Sequence, residues 1–318
     1  MKNKTILVTG ATGSFGHKFV EMVLPLGPKK IICFSRDELK QHEMAREFQD
    51  NRLRFFLGDV RDRDRLYRIM GGVDYVVHAA AQKQIPAAER NPFECVKTNV
   101  IGAQNVIEAA VDRGVEKVVA LSTDKAAQSL NLYGATKATA ERLFVAGNHH
   151  SIKTRFSCVR YGNVINSRGS VIPLFLQQRE TGVITITDER MTRFWITLEA
   201  GVELVFRAFR EMHGGETYVP KIPSMKITDL ARAIAPGCEV KTIGIRPGEK
   251  LHEVMVTEDE SRRTVDKGGY FIIQPDAPED ARMDWGVKVE PSNLLEGFVY
   301  SSDRNEEWLT EEDLKCLL

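Results

Sequence analysis

Thr5-Ile-Leu-Val-Thr-Gly-Ala-Thr-Gly-Ser-Phe-Gly16, close to the amino terminus, is the stretch that decides the fold. An apolar run that is typical of a buried strand leads directly into glycines at positions 10, 13 and 16. Gly10 permits a tight turn, Gly13 lets the backbone approach a pyrophosphate, and Gly16 lets the next helix pack closely on the sheet. The pyrophosphate would lie at the positive amino end of that helix. The stretch therefore predicts the phosphate-binding turn of a dinucleotide-binding fold.

The first half of the chain continues this alternation of short apolar runs and longer amphipathic segments. The apolar runs predict strands at Thr5–Thr9, Lys30–Ser35, Leu53–Leu57, Tyr75–His78, Val118–Ser122 and Thr154–Arg160. Helices are predicted at Gly16–Leu24, Glu38–Gln49, Arg63–Met70, Thr98–Asp112 and Tyr133–Ala146. Strand and helix in regular alternation predict an α/β fold of the Rossmann type, with a doubly wound parallel sheet and right-handed crossovers.

After about Ile165 the pattern changes, and this change divides the chain. Residues 1–165 are predicted to form the dinucleotide-binding domain, and residues 166–318 a smaller mixed lobe that interleaves with it in space. Few strand signals occur there; helices are predicted at Val171–Glu180, Leu198–Met212 and Thr228–Ala235. The proline-rich, acidic stretch Pro275–Ser292 is typical of a loop, and Glu306–Leu318 of a short helix.

Composition excludes several classes of protein. Lys+Arg and Asp+Glu both total 44 in 318 residues, so no excess of positive charge favours nucleic-acid binding. The five cysteines lie far apart without a CxxC pair, which predicts neither a disulfide framework nor a metal site. A strand begins almost at Met1, and no apolar run approaches the roughly 20 residues that a membrane span needs. We therefore expect a cytoplasmic protein without nucleic-acid, membrane or metal partners.

The end of the second predicted strand indicates which cofactor is bound. A site for NAD usually has an acidic residue here that holds the ribose 2′-hydroxyl, but this strand ends in Ser35-Arg36. A hydroxyl and a guanidinium favour the 2′-phosphate of NADP, although a solvated loop arginine is the alternative. Asp37 and Glu38 are interpreted as the first residues of the following helix. Asp59 is placed to contact the adenine.

A candidate catalytic group follows the fifth predicted strand. Tyr133 and Lys137 are four residues apart and therefore share one face of a helix. An ammonium beside a phenol, together with a positive nicotinamide, would lower the phenol pKa from about 10 and favour the phenolate. Tyr133 could then remove a hydroxyl proton while hydride leaves the same carbon. Thr123 would hydrogen-bond that substrate oxygen.

Several longer motifs resemble those of a known family. They are Thr9–Gly16, Ser35–Glu38, Ser122–Ala126, Asn131–Lys137, Val159–Val164, Met191–Trp195 and Arg246–Lys250. Together they resemble the extended short-chain dehydrogenases/reductases, and within these the inverting UDP-N-acetylglucosamine 4,6-dehydratases of pseudaminic acid-type pathways. The resemblance covers Lys4 to about Tyr270. It implies a UDP-sugar substrate and a homo-oligomer.

The resemblance also implies roles for Asp124 and Lys125. Once carbon 4 of the sugar is a ketone, eliminating water across carbons 5 and 6 needs a base and an acid, and the family precedent implies Lys125 and Asp124 respectively. Lys125 would need a lowered pKa, which the cofactor and Lys137 could supply, and Asp124 a raised one. The alternative for this pair is a local salt bridge at a strand end.

The remaining contacts complete the predicted site. Cofactor contacts are expected from Gly10, Thr12, Gly13, Ser14, Phe15, Gly16, Ser35, Arg36, Asp59, Val60, Ala79, Ala80, Ala81, Asn99, Tyr133 and Lys137. The resemblance implies Lys83 near the sugar, and Asn163, Arg193, Arg246 and Glu249 near the uridine diphosphate, with exposed arginines as the alternative. Asn166 and Gln128-Ser-Leu130 depart from the family pattern.

Two other functions compete with dehydration. A UDP-sugar 4-epimerase would share the fold but would not need the Asp124-Lys125 pair. A catalytically silent, NADP-sensing regulator would share it too, but such proteins commonly lack the Tyr/Lys pair that this chain has.

Overall fold

A sheet of nine strands organises the part of the chain that the computed structural model describes, which is residues 1–151, 153–165, 167, 169–276 and 290–317. The strands from one edge to the other are β3 (Leu53–Leu57), β2 (Lys30–Ser35), β1 (Thr5–Thr9), β4 (Tyr75–His78), β5 (Lys117–Leu121), β6 (Arg155–Val159), β10 (Thr217–Pro220), β15 (Tyr270–Ile273) and β14 (Thr264–Asp266). The first seven strands are parallel to one another. Strand β15 pairs antiparallel with β10, and β14 pairs antiparallel with β15.

Helices cover both faces of this sheet. They are α1 (Ser14–Val23), α2 (Glu38–Phe48), α3 (Arg63–Ile69), α4 (Ile85–Arg90), α5 (Pro92–Val96), α6 (Gly102–Arg113), α7 (Leu132–Gly147), α8 (Val171–Arg179), α9 (Leu198–Glu211), α10 (Ile227–Ile234), α11 (Glu258–Ser261) and α12 (Glu311–Leu317). Helices α1, α2 and α9 bury apolar side chains in the core on one face, and α3, α6 and α7 in the core on the other. Burial on both faces explains why the central strands are almost wholly apolar.

A third apolar cluster forms the smaller lobe. It includes Ile172 and Phe175 of α8, Leu230 of α10, and Trp195. Three small sheets surround it: β7 (Asn163–Val164), β9 (Thr192–Ile196) and β11 (Ser224–Lys226); β8 (Val183–Ile186) with β12 (Glu239–Thr242); and β13 (Val254–Val256) with β16 (Tyr300–Ser301). This lobe adjoins the carboxyl ends of the parallel strands through β7, which follows β6 directly.

The predicted α/β class is confirmed, and the first six strands and five helices lie close to their predicted positions. The largest shift is at α6, where Lys97–Ile101 forms a π-helical turn before the regular helix. The expectation of few strands after Ile165 is wrong. Strands of two to five residues show too little alternation to be recognised, and β10, β14 and β15 are stabilised by a sheet that begins in the other half of the chain.

The end of the chain is described only in part. The predicted final helix begins at Glu311 rather than Glu306, and most of the predicted loop Pro275–Ser292, like Asn166, lies outside the described residues. None of the helices within the described ranges is both long and apolar enough to cross a membrane.

Candidate active site

A cavity of about 890 Å³ runs along the carboxyl ends of the parallel strands. In doubly wound sheets this edge is where ligands bind. Most of the predicted contacts line it: Gly10, Thr12, Gly13, Ser14, Phe15, Gly16, Ser35, Arg36, Asp59, Val60, Ala79, Ala80, Ala81, Lys83, Thr123, Lys125, Tyr133, Lys137 and Asn163. The structure therefore brings the predicted phosphate turn and the predicted catalytic group into one continuous space.

The glycine turn forms one wall of this cavity. Gly10 has a φ of 69°, and a Cβ atom there would lie 2.9 Å from the backbone nitrogen of Ala80. A Cβ atom on Gly16 would lie 2.6 Å from the Cα of Ala11, so only glycine allows α1 to begin so close to the turn. Gly13 precedes α1 and has no side chain to cover its amino end. A pyrophosphate therefore fits here, against the positive end of the helix.

The adenosine end of the cavity is lined by two cations, Arg36 and Lys40, and by two carboxylates, Asp37 and Asp59. The Arg36 Nη1 atom lies 3.6 Å from Asp59 Oδ2, and the Arg36 side chain is 57% exposed and able to contact a ligand. Asp37 caps α2 by accepting a hydrogen bond from the Lys40 backbone nitrogen at 3.0 Å, which confirms its predicted place at the helix start. Lys40 lines the same end of the cavity. The prediction missed it, and its position one turn after Asp37 is the signal that could have identified it.

Asp124 and Lys125 are in direct contact at the end of β5. Lys125 Nζ donates to Asp124 Oδ1 at 3.0 Å and to Asn163 Oδ1 at 3.3 Å, and Thr123 Oγ1 also donates to Asp124 Oδ1, at 2.9 Å. Asp124 is wholly buried, and its Oδ2 atom has no hydrogen-bond partner among the described residues. Burial raises the pKa of Asp124, although Lys125 opposes that rise. The predicted direction for this carboxyl is confirmed.

The pKa of Lys125 differs from the prediction. Burial alone would lower it, but the carboxylates of Asp124 and Glu253 raise it above its ordinary value. Glu253 Oε1 lies 3.3 Å from Lys125 Nζ. The sequence analysis expected the cofactor and Lys137 to lower the pKa of Lys125. That expectation is wrong, because the carboxylates of Asp124 and Glu253 outweigh burial. In this structure Lys125 is an ammonium.

Tyr133 lies beside this pair on the first turn of α7. Burial raises the pKa of Tyr133 to about 12, while the charge of Lys125 and a hydrogen bond with Thr123 act in the opposite direction. Lys137 is itself buried, and this burial lowers the pKa of its ammonium. The protein alone therefore does not lower the phenol pKa as expected, since desolvation outweighs the nearby positive charge.

Lys83 faces the same space from the chain that follows β4. Although the residue as a whole is exposed, burial around its ammonium and the positive charge of Lys125 lower its pKa. At this position the Lys83 side chain could bind an oxygen of a substrate in the cavity.

Asn99, a predicted cofactor contact, lies behind the cavity wall. It is 1% exposed, and its Nδ2 atom donates to the Gln82 carbonyl at 2.9 Å and to Thr136 Oγ1 at 3.0 Å. Asn99 therefore braces the segment after β4 against α7. The π-helical turn that contains it places Thr98, which the prediction missed, on the cavity surface.

The predicted diphosphate contacts Arg193, Arg246 and Glu249 are also outside this lining. Arg193 is buried, and its guanidinium donates to the backbone carbonyls of Thr192, Leu251 and Lys250 at 2.7–2.9 Å. The Arg193 guanidinium thus links β9 to the segment Lys250–Leu251. Arg246 is half exposed and pairs with Glu249 at 3.6 Å. The resemblance implied that these residues contact the diphosphate, but the direction of each side chain depends on its tertiary contacts.

Comparison with known proteins identifies the family. Residues 6–275 match the polysaccharide biosynthesis protein family. The chain belongs to this family. It is 52% identical to an inverting UDP-N-acetylglucosamine 4,6-dehydratase of Campylobacter jejuni, over 98% of this chain and 96% of the relative. The predicted resemblance to such dehydratases is therefore confirmed.

Two further relatives show the breadth of the family. A UDP-glucose 4-epimerase of Rickettsia bellii is 40% identical over 99% of this chain and 95% of its own length. The X-ray structure of Pen from Bacillus thuringiensis superposes with a TM-score of 0.90 and 38% identity, covering 99% of this chain and 97% of that one. The fold is thus shared with both chemistries, and the function depends on the residues of the site.

Proposed function

We propose that this protein is an NADP-dependent UDP-N-acetylglucosamine 4,6-dehydratase that inverts carbon 5. The observation that carries the proposal is the contact between Asp124 and Lys125 beside Tyr133, at the end of the cavity opposite the adenosine end. Oxidation at carbon 4 requires a base such as Tyr133, and the elimination that follows requires a second base and an acid. The 52% identical dehydratase supports the substrate and the outcome.

The glycine turn and the adenosine end would hold the cofactor. Ser35, Arg36 and Lys40 line the place where a 2′-phosphate would lie, and Gly10 to Gly16 would hold the pyrophosphate. When bound, NADP⁺ supplies the acceptor for the carbon 4 hydride and afterwards the donor of the same hydride to carbon 6. Because the hydride goes back to the same substrate molecule, we expect the cofactor to stay tightly bound and NADPH not to accumulate.

Tyr133 would begin the reaction by removing the proton of the carbon 4 hydroxyl as its hydride departs. Thr123 lines the cavity together with Tyr133, and its hydroxyl would contact the same substrate oxygen. With a pKa of about 12, the phenol keeps its proton at neutral pH unless positive charge lies close. That pKa already includes the charge of Lys125, so the positive nicotinamide of the bound cofactor would have to supply the further lowering.

Asp124 and Lys125 would then carry out the elimination. Transfer of one proton along the 3.0 Å hydrogen bond converts the ammonium and carboxylate into an amine and a carboxylic acid. The amine of Lys125 removes the carbon 5 proton, and Asp124 gives its proton to the departing carbon 6 hydroxyl, so one water leaves. The hydride would return to carbon 6, and a solvent proton would add to carbon 5 from the opposite face, while Tyr133 releases to solvent the proton that it took from the carbon 4 hydroxyl. The product is UDP-2-acetamido-2,6-dideoxy-β-L-arabino-hexos-4-ulose.

A 4-epimerase is the second candidate, because the Rickettsia bellii relative carries that name. Epimerisation needs Tyr133 but no acid-base pair for elimination. The buried Asp124 carboxyl with its unpartnered oxygen therefore favours dehydration.

The test is incubation with UDP-N-acetylglucosamine in deuterium oxide, followed by mass spectrometry and NMR. The expected product has lost one water, carries one deuterium at carbon 5 and has the L configuration. A product that keeps its water supports the epimerase instead, and a D-configured product excludes inversion.

A matched pair of lysine variants sharpens this test. Lys125→Ala should bind NADP and still oxidise carbon 4, yet form no dehydrated product. Lys97→Ala, which removes an exposed lysine paired with Glu94, should keep the wild-type product and rate. Dehydration at the wild-type rate by Lys125→Ala would remove Lys125 from the role of base.

A further inference from the structure

Glu253 is a buried carboxylate that lies against the catalytic pair. The residue is 2% exposed, and its Oε1 atom lies 3.3 Å from Lys125 Nζ and 3.9 Å from Arg193 Nε. Its Oε2 atom lies 3.5 Å from Lys250 Nζ but makes no hydrogen bond among the described residues. A buried carboxylate with an unfilled acceptor is costly, so its position needs an explanation beyond stability.

The backbone of Glu253 is held firmly in place. Its amide donates to Ser302 Oγ at 2.9 Å, and its carbonyl accepts from the Ser302 amide at 2.8 Å. Arg193 fixes the preceding residues through the carbonyls of Lys250 and Leu251. The carboxylate is therefore presented to Lys125 from a rigid backbone.

The segment that ends in Glu253 is also joined to the loop that follows β5. Lys250 Nζ donates to the Ala127 carbonyl at 2.7 Å, and Asn131 Nδ2 donates to the Gly248 carbonyl at 2.8 Å. Asn131 caps α7 as well, through Gly134. Two hydrogen bonds thus connect Arg246–Glu253 to the loop and helix that carry Lys125 and Tyr133.

We propose that Glu253 is a positioning residue for the elimination step, which holds the Lys125 amine between Asp124 and Asn163 from the side of the smaller lobe. This inference rests on the proposed function. Lys125 has a flexible stem, and without a second partner it could turn toward other acceptors in the cavity. Two carboxylates and one amide oxygen restrict Nζ to one place, where it faces both Asp124 and the substrate space.

Removing the charge of Glu253 has a defined effect on the pH profile. The charged or titratable groups around Lys125 are Asp124, Glu253, Arg193, Lys83 and Tyr133. A negative charge nearby makes both protons of the Asp124–Lys125 pair harder to remove. When that charge is lost, both protons leave at lower pH, and the cations Arg193 and Lys250 then act without opposition in the same direction. The profile should therefore move toward acid.

The experiment measures kcat and KM for dehydration of UDP-N-acetylglucosamine against pH in wild type, Glu253→Gln and Glu253→Asp. For Glu253→Gln we expect a shift of both limbs by about one pH unit toward acid. We also expect kcat to fall about 10- to 100-fold with KM changed less than about threefold. Glu253→Asp keeps the charge but withdraws it by one methylene, so its limbs should stay in place while kcat falls.

Single-turnover measurements separate the half-reactions. Carbon 4 oxidation, followed by NADPH absorbance, should keep its wild-type rate in Glu253→Asp, while deuterium incorporation at carbon 5 slows. Glu260→Gln is the matched control, since it neutralises a partly buried glutamate that pairs with Arg160 rather than with Lys125, and it should lower thermal stability without moving the profile.

Each outcome decides between alternatives. An unshifted profile in Glu253→Gln, or an equal shift in Glu260→Gln, overturns the proposal. If Glu253→Gln does not fold, unchanged kcat in Glu253→Asp overturns it, and selective slowing of the carbon 5 step supports it. Failure of the wild type to dehydrate the substrate would instead refute the proposed function.

Discussion

Two buried ion clusters in this protein differ in how completely their atoms are paired. Arg160 donates to Glu141 Oε1 and Oε2 at 3.0 and 2.6 Å, to both Glu260 oxygens at 2.9 Å, and to the Met255 carbonyl at 2.9 Å. In the catalytic cluster, by contrast, one oxygen of Asp124 and one of Glu253 have no hydrogen bond among the described residues.

The fully paired Arg160 cluster suits a structural role, whereas the unpaired oxygens of Asp124 and Glu253 suit the proposed proton transfer. Arg160 joins β6, α7 and α11, and its bidentate contacts leave no proton free to move. The cluster therefore keeps α7, which carries Tyr133, in one position. The cluster of Asp124, Lys125 and Glu253 retains unpaired acceptors, a state that is unfavourable for folding but that the proposed proton transfer would need.

Arg160→Met should give the largest change, a loss of about 3–5 kcal/mol of unfolding free energy, because two buried carboxylates lose their partner. Urea denaturation at neutral pH measures it. A loss below about 1 kcal/mol would contradict the structural role of this cluster.

The same variant makes a signed pH prediction. Burial raises the pKa of Glu260, but Arg160 lowers it below its ordinary 4.5, so in the wild type this pair contributes stability above that pH and loses it as pH falls. In Arg160→Met burial is opposed only by the Thr257 backbone hydrogen bond and the charge of Arg263, so the Glu260 carboxyl takes up a proton more readily. The difference in stability between the two proteins should therefore shrink from about pH 7 to about pH 4.

Tyr133→Phe removes a hydroxyl from the cavity lining and keeps every ion pair of the two clusters. Oxidation at carbon 4 should slow by roughly 100-fold or more, since the proposed base is lost, while the melting temperature stays near that of the wild type. Rapid-mixing absorbance of NADPH follows the step. Turnover near the wild-type rate would exclude Tyr133 as the base.

Arg36→Ala removes an exposed arginine that pairs with Asp59, in contrast to the ion pairs of the two buried clusters. Binding of NADP should weaken by roughly 1.5–3 kcal/mol, because the 2′-phosphate loses a charged partner, and binding of NAD should change far less. Calorimetric titration with both cofactors measures the difference. Equal losses for NADP and NAD would show that Arg36 does not select the 2′-phosphate.

Asp124→Asn should have the smallest effect on stability, within about 1 kcal/mol, although elimination should fail. Lys125 keeps the Glu253 carboxylate as a partner, and the substitution removes a buried charge with an unfilled oxygen. Thermal unfolding beside the activity assay checks both parts. A loss as large as that of Arg160→Met would mean that the two clusters have the same structural role.

The sequence by itself determined the features that depend on local geometry. The glycine turn at Gly10–Gly16, the alternation of strands and helices, and the shared face of Tyr133 and Lys137 follow from backbone rules over a few residues. Asp124 and Lys125 are neighbours in the chain, so their contact at the end of β5 required no knowledge of the rest of the fold.

Only the tertiary structure decided which distant groups meet and how strongly they are desolvated. Glu253 is far from Lys125 in the chain, yet together with Asp124 it raises the pKa of that lysine. Arg193 is turned into the protein by three carbonyls, and β10, β14 and β15 form strands because a sheet from the first half of the chain is there to pair with. Burial and long-range charge belong to the folded state, and no local pattern in the sequence encodes their balance.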